Sequence, residues 1–237
     1  MNKKCLSIII LILLWQFLAM LTAREVLLPQ PIHVFTRIYE MLLSGKFYGA
    51  VATTLLRANL SFLIALLLGI SLGLLASFHS QVEAFLSPIL SFLQTIPQIS
   101  YMIILLVWFD QFMCILIIIL LMTFPIVYHN ILTGMKNIDA SLIDIIRQYQ
   151  HPMPFLIFRV YLPLIKPYIY SAVDAILPLS LKIGVMAEVL IQTRTGIGAQ
   201  LYLARLNIDM TGVFAWTICL VMLLMLEVKI VHLGLRK

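Results

Sequence analysis

Long apolar runs succeed one another along this chain, at residues 6–21, 50–78, 84–109, 112–132, 167–191 and 212–226. The four between residues 50 and 191 reach or exceed the roughly 20 residues that a helix needs to cross about 30 Å of hydrocarbon. Inside a bilayer every backbone N–H and C=O must find its partner within the segment or a closed barrel, so runs of this length are expected as helices. With 62% hydrophobic and 11% charged residues and a mean hydropathy of +1.07, no soluble class fits. The expectation is an all-α, polytopic membrane protein of about six transmembrane helices, one domain over residues 1–237 with a first span at 6–22 and a core at 50–233.

The net charge of +6 and pI near 9.3 do not point to nucleic acid, because no basic cluster exists. Lysine and arginine gather instead where loops meet one side of a membrane. With the N-terminus inside and six spans, Lys3, Lys4, Lys136, Arg147, Arg159, Lys166, Lys229, Arg236 and Lys237 fall on the inner side. Arg24, Arg37, Lys46, Arg57, Arg194 and Arg205 fall outside, a bias of the expected sign that leaves both termini cytoplasmic. Cys5, Cys114 and Cys219 lie in apolar segments and form no pair or ligand cluster with the five histidines, so neither disulfide nor metal site is expected.

Lys3 and Lys4 precede the first run, which reads as a membrane span or as a signal peptide ending near Ala23; its length favours the span. Residues 24–49, with Pro29 and Pro31, read as an external segment with a short interfacial helix around His33 to Leu43. In the second run Ala65, Gly69 and Gly73 recur every four residues and leave one smooth face for close helix contact, within one subunit or at a dimer seam. The third run holds Pro88 and Pro97, each able to kink a helix where neighbours or a cavity satisfy the freed carbonyl. In the fifth run stand Asp174, Pro178, Lys182 and Glu188, and charges inside a span are expensive and mark pathways or partners. Lys182 follows Asp174 by eight residues and precedes Glu188 by six, about 12 and 9 Å of helix, so neither acid is an i, i+4 partner.

Between the fourth and fifth runs, residues 134–169 are too polar and too proline-broken for lipid and must work at a membrane face. Asp139 can cap a short helix with Leu142, Ile145, Ile146 and Tyr149 on one side and Asp144, Arg147 and Gln148 on the other. Pro152 disfavours helix at His151, and a second short helix is expected from near Pro154 through Phe158, Arg159 and Val160, ended by Pro163. Pro167 can open the next span as a first-turn residue whose missing N–H costs nothing there.

The stretch Asp144-Ile145-Ile146-Arg147-Gln148-Tyr149-Gln150-His151, then Phe158-Arg159-Val160-Tyr161-Leu162-Pro163 and Pro167-Tyr168-Ile169, resembles the coupling loop of a known family. The family comprises the inner-membrane permease subunits of binding-protein-dependent ABC importers, of the nitrate, sulfonate and taurine type. Leu56-Arg57, Gly69-Ile70-Ser71-Leu72-Gly73, Thr95-Ile96-Pro97, Phe124-Pro125-Ile126, Ala187-Glu188-Val189 and Thr195-Gly196-Ile197-Gly198 resemble it too, in the right order. Gln150 stands where the family has glycine, at a position suited to a left-handed turn residue.

The resemblance implies a type I importer-like permease that forms the path for a small solute such as nitrate, a sulfonate, taurine or a thiamine-precursor-like compound. It implies a second permease subunit, expected as a homodimer, an ATP-binding cassette subunit below the loop and an external substrate-binding protein. Asp144, Arg147, Tyr149, Gln150, Arg159, Pro163 and Pro167 are the expected ATPase-coupling residues, and Pro97, Asp174, Lys182 and Glu188 the expected wall of the path. No catalytic residue, cofactor or metal is expected. The chain has no G-x-x-x-x-G-K-[ST] loop, so any ATP-driven motor is another polypeptide, and no H-E-x-x-H or G-x-S-x-G motif. The alternatives that stay open are a secondary transporter or channel working through the buried charges of the fifth run, and an intramembrane enzyme.

Overall fold

Each of the six apolar runs is a helix or a bent pair of helices in a computed structural model that describes residues 3–22, 24–139, 141–143 and 151–235. In chain order these are α1 (Lys3–Thr22), α2 (Pro31–Leu42), α3 (Gly45–Phe78), α4 (Ser80–Thr95), α5 (Gln98–Trp108), α6 (Gln111–Lys136), α7 (Met153–Leu164), α8 (Lys166–Ile191), α9 (Ile197–Leu206) and α10 (Met210–Leu235). No strand occurs among the described residues. By length and composition α3, α6 and α10 are able to cross a membrane, and the pair α4–α5 makes a fourth crossing if the two count as one span. α1, with 20 residues, and α8, with 26, complete the set of long helices.

The third run differs from the single kinked span that its sequence suggests. α4 and α5 meet at 99°. Ile96 and Pro97 both take extended backbone, φ −69°, ψ 129° and φ −56°, ψ 128°, because the Pro97 ring excludes helical geometry at the residue before it. The last turn of α4 is closed by the Thr95 hydroxyl, which donates to the Phe92 carbonyl at 2.9 Å. Pro88 lies inside α4 without ending it.

The chain forms two compact units, one of Met1–Leu55 with Val185–Ile230, the other of Leu56–Gly184 with Val231–Lys237. In the first, Val34, Ile38 and Met41 of α2 pack with Phe47 and Ala50 of α3, Val185 of α8, Ile197 of α9 and Ala215, Trp216 and Cys219 of α10. Trp15 of α1 stacks on Phe214 at 5.6 Å and Phe47 on Trp216 at 5.4 Å. In the second unit the small-residue strip of α3 lies against α6. A methyl group added at Gly69 would stand 2.5 Å from the Val127 Cβ, and one at Gly73 2.8 Å from the Ile131 Cβ. The strip therefore serves packing inside one subunit, where glycine lets two backbones approach. Ala76, Leu90, Tyr128 and Leu132 form a second buried cluster beside it.

Candidate functional site

The polar segment between α6 and α8 begins as its sequence suggests. Asp139 Oδ1 accepts from the Ser141 N–H and hydroxyl, each at 2.9 Å, while the Asp139 carbonyl accepts from Leu142 and Ile143 at 3.1 and 3.2 Å. That is an N-cap, and its two hydrogen bonds hold the carboxyl below its ordinary range. Asp144, Arg147, Tyr149 and Gln150 lie outside the described residues.

Beyond Pro152, which is extended at φ −63° and ψ 143°, α7 starts with Pro154 in its first turn. Its middle, Ile157–Tyr161, is π-helical, and the Leu162 N–H reaches back five residues to the Ile157 carbonyl. Pro163 supplies the reason: it has no N–H for the Arg159 carbonyl, and its ring would clash with that oxygen in a regular turn. Pro163 thus widens the helix rather than ending it. α7 stops one residue further on, at Leu164, where Ile165 takes φ −90° and ψ 6°. Arg159 and Pro163 are exposed.

The buried Ile165 is the joint between α7 and α8. Its N–H donates to the Tyr161 carbonyl at 3.0 Å, and its carbonyl accepts from Tyr168 and Ile169 at 2.9 and 3.1 Å. Pro167 stands in the first turn of α8, where its missing donor leaves nothing unpaired. Tyr161 packs edge-on against Phe78 at the end of α3, at 5.1 Å. Tyr168 lies against Gly134, and its hydroxyl accepts from Asn137 Nδ2 at 2.9 Å. Lys136 donates to Glu83 at 2.5 Å, tying the end of α6 to the first turn of α4. α7 thus touches the end of α3 through Tyr161, and the start of α8 touches the end of α6 through Tyr168.

Along α8, Ser171, Asp174 and Lys182 are exposed and Pro178 half-buried, at helical spacing, while Ala172, Val173, Ile176, Leu177 and Leu181 are buried. Asp174 is paired with His232 Nε2 at 2.6 Å, a partner on α10 with no signature in the local sequence. Lys182 makes no hydrogen bond or ion pair among the described residues. Pro97 is exposed at the α4–α5 bend.

Glu188 has a different setting, in the first unit. It is 0% exposed. The Thr54 hydroxyl donates to its carboxylate at 2.9–3.0 Å, the Gly198 N–H donates to it at 2.9 Å, and the Ile197 N–H donates to Thr54 Oγ1 at 2.8 Å. The carboxylate thereby satisfies two orphan N–H groups at the start of α9, one directly and one through Thr54, where the helix dipole also favours negative charge. Gly196, at φ 124°, turns the chain into this cradle, and a side chain there or at Gly198 would meet Glu188 at 2.4–2.5 Å.

Comparison with known proteins agrees with this architecture. Residues 65–235 match the family described as the binding-protein-dependent transport system inner membrane component. SsuC of Bacillus subtilis (strain 168), named an aliphatic sulfonates transport permease protein, is 30% identical over 209 residues, covering 87% of this chain and 75% of its own. CmpB of Synechococcus elongatus, named a bicarbonate transport system permease protein, is 29% identical over 201 residues, 79% of this chain and 71% of its own. ThiX of Halalkalibacterium halodurans, named a formylaminopyrimidine transport permease protein, is 26% identical over 215 residues, 90% of this chain and 85% of its own. With that match over most of its length, the chain belongs to the binding-protein-dependent transport system inner membrane components, as a multi-pass permease subunit of an ATP-driven ABC importer.

Proposed function

We propose that this chain, as a single transmembrane permease domain, lines the path of a small anionic or zwitterionic solute with the Ser171–Asp174–Pro178–Lys182 stripe of α8. The observation that carries this reading is Lys182, exposed and without a partner among the described residues. A lysine at the centre of a span costs roughly 2.5–3.5 kcal/mol against lipid, so it belongs in a hydrated path or against a second subunit. Asp174 is engaged by His232 Nε2 at 2.6 Å, whereas Lys182 has no partner among the described residues. SsuC is named for aliphatic sulfonates and CmpB for bicarbonate, both anions at neutral pH, which supports the same charge preference here. Pro97, at the α4–α5 bend, belongs to the same wall.

The motor is a separate ATP-binding subunit on the cytoplasmic side. Asp144, Arg147, Tyr149, Gln150 and Arg159 meet it, and Pro163 and Pro167 set the angle at which α7 hands its motion to α8. Both termini are cytoplasmic, in the inner membrane. Two copies of the chain face each other across the path, and an external substrate-binding protein delivers the solute to the other side. The chain itself performs no catalysis. Glu188 acts as an anchor for α9 rather than as a wall of the path, since Thr54 and Gly198 already engage its carboxylate. Deleting the gene for the ATP-binding subunit tests the energy source: uptake is expected to stop, and uptake that survives on an ion gradient would overturn the reading in favour of a secondary transporter.

A further inference from the structure

α2 carries two apolar rows, and only one of them is covered. Val34, Ile38 and Met41 turn into the core of the first unit. At 100° per residue, Ile32, Phe35, Tyr39 and Leu42 form a neighbouring row, and they are exposed to 61%, 47%, 65% and 42%. The remaining side is polar: His33 Nδ1 meets Glu25 at 2.7 Å, and Arg37 reaches Glu40 at 3.2 Å and Asp209 at 3.5 Å. Half of the circumference of this helix is thus apolar, and half of that apolar sector has nothing from its own chain against it.

The depth of α2 follows from one hydrogen bond. Trp15 Nε1 donates to the Pro29 carbonyl at 3.0 Å. Trp15 lies seven residues before the end of α1 at Thr22, about 10 Å of helix. The chain leaving α1 therefore folds back along it, and α2 starts beside the apolar body of α1 rather than beyond its end. Phe17, Leu18 and Leu21 of α1 are exposed at this level. At 12 residues α2 is too short to cross the bilayer. Its uncovered row contains no charge, and Tyr39 is of the residue type that settles at the boundary between headgroups and acyl chains.

We propose that α2 is seated in the bilayer boundary at the end of α1 away from Lys3 and Lys4, with lipid as the partner of Ile32, Phe35, Tyr39 and Leu42. Its His33, Arg37 and Glu40 side stays in water. The helix is a float: its inner row fixes the first unit, and its outer row fixes the depth of that unit in the membrane.

Nitroxide labels on single cysteines test this in the full chain, with Cys5, Cys114 and Cys219 replaced by serine or alanine. The labels go to positions 32, 35 and 39 and to positions 36 and 40, all exposed, and the protein is placed in vesicles of phosphatidylethanolamine and phosphatidylglycerol. Collision with oxygen relative to a water-soluble nickel complex is expected to be several-fold higher at 32, 35 and 39 than at 36 and 40. Nickel access at 32, 35 and 39 equal to that at 36 and 40 would place the row in water and overturn the proposal. Labels at 32, 35 and 39 that are immobile and shielded from both reagents would overturn it too, by showing a protein neighbour, such as a second copy of the chain.

Discussion

Thr54 and Glu188, 134 residues apart in the chain, meet in a fully buried hydrogen bond in which the hydroxyl is shared between the two carboxylate oxygens. Thr54 also accepts from Ile197, so one hydroxyl joins α3, α8 and the first residue of α9. Replacing Thr54 by valine keeps the shape, takes one of several donors from the buried carboxylate and takes the acceptor from the buried Ile197 N–H. A loss of about 1–3 kcal/mol is expected. Thermal unfolding of the detergent-solubilised protein measures it, with Thr54→Ser retaining most of the stability; a valine variant as stable as wild type would show the bridge to be idle.

Glycines in α3 are expected to divide sharply under alanine substitution. At Gly69 and Gly73 the new methyl runs into Val127 and Ile131 of α6, and such overpacking costs about 1–3 kcal/mol. At Gly45 and Gly49 nothing lies within 4 Å, and alanine is expected to be neutral or to gain up to about 1 kcal/mol from helix propensity. The same unfolding measurement on the four variants checks the contrast.

The cap at Asp139 carries a pH dependence of definite sign. Its carboxyl is held below its unfolded value, so the stabilisation is complete above that value and disappears as pH falls through the folded one. Hydrogen exchange at the Ser141 amide is expected to lose protection on acidification, beyond the intrinsic change of exchange rate, and Asp139→Ala is expected to remove the dependence. A pH-independent protection factor in wild type would contradict the cap.

Pro163 and Pro167 flank the joint between α7 and α8, and the proposed coupling role rests on them. Alanine at Pro163 removes the cause of the π turn, lets α7 relax to regular spacing and rotates its first turns by about 100° relative to α8. Pro163→Ala with Pro167→Ala is expected to leave ATP hydrolysis by the assembled complex in place while uptake per ATP falls. Unchanged coupling in the double variant would remove the mechanical role.

Much of this was legible in the sequence because lipid imposes a simple rule on apolar runs, and all six runs are helical. The Ala65, Gly69 and Gly73 strip was legible as a contact, since glycine every fourth residue has few other uses in a span. The 99° break at Pro97 was not, because Pro88 and Pro97 look alike locally and only one of them ends its helix. Long-range pairs were invisible: nothing in the sequence near Thr54 announces Glu188, and nothing near Asp174 announces His232. Gly196 and Gly198 were visible only as part of a family resemblance. Their physical use, clearing space for the Glu188 carboxylate, needs the turn at φ 124° to be seen.

Charge reversal in the polar segment tests the proposed contact with the ATP-binding subunit. Asp144→Lys with Arg147→Glu is expected to uncouple ATP hydrolysis from uptake without lowering the unfolding temperature of the permease. Normal transport by that double variant would put the docking surface elsewhere in residues 134–169.

Uptake by vesicles holding the permease, its ATP-binding subunit and its binding protein, compared between wild type and Lys182→Met, tests the path most directly. Methionine keeps much of the length and removes the charge. Uptake of an anionic solute is expected to fall about tenfold or more, equivalent to at least ~1.4 kcal/mol in the barrier, while the ATP-binding subunit still co-purifies with the permease. Uptake of anions at the wild-type rate, with the complex intact, would contradict the assignment of Lys182 to the path.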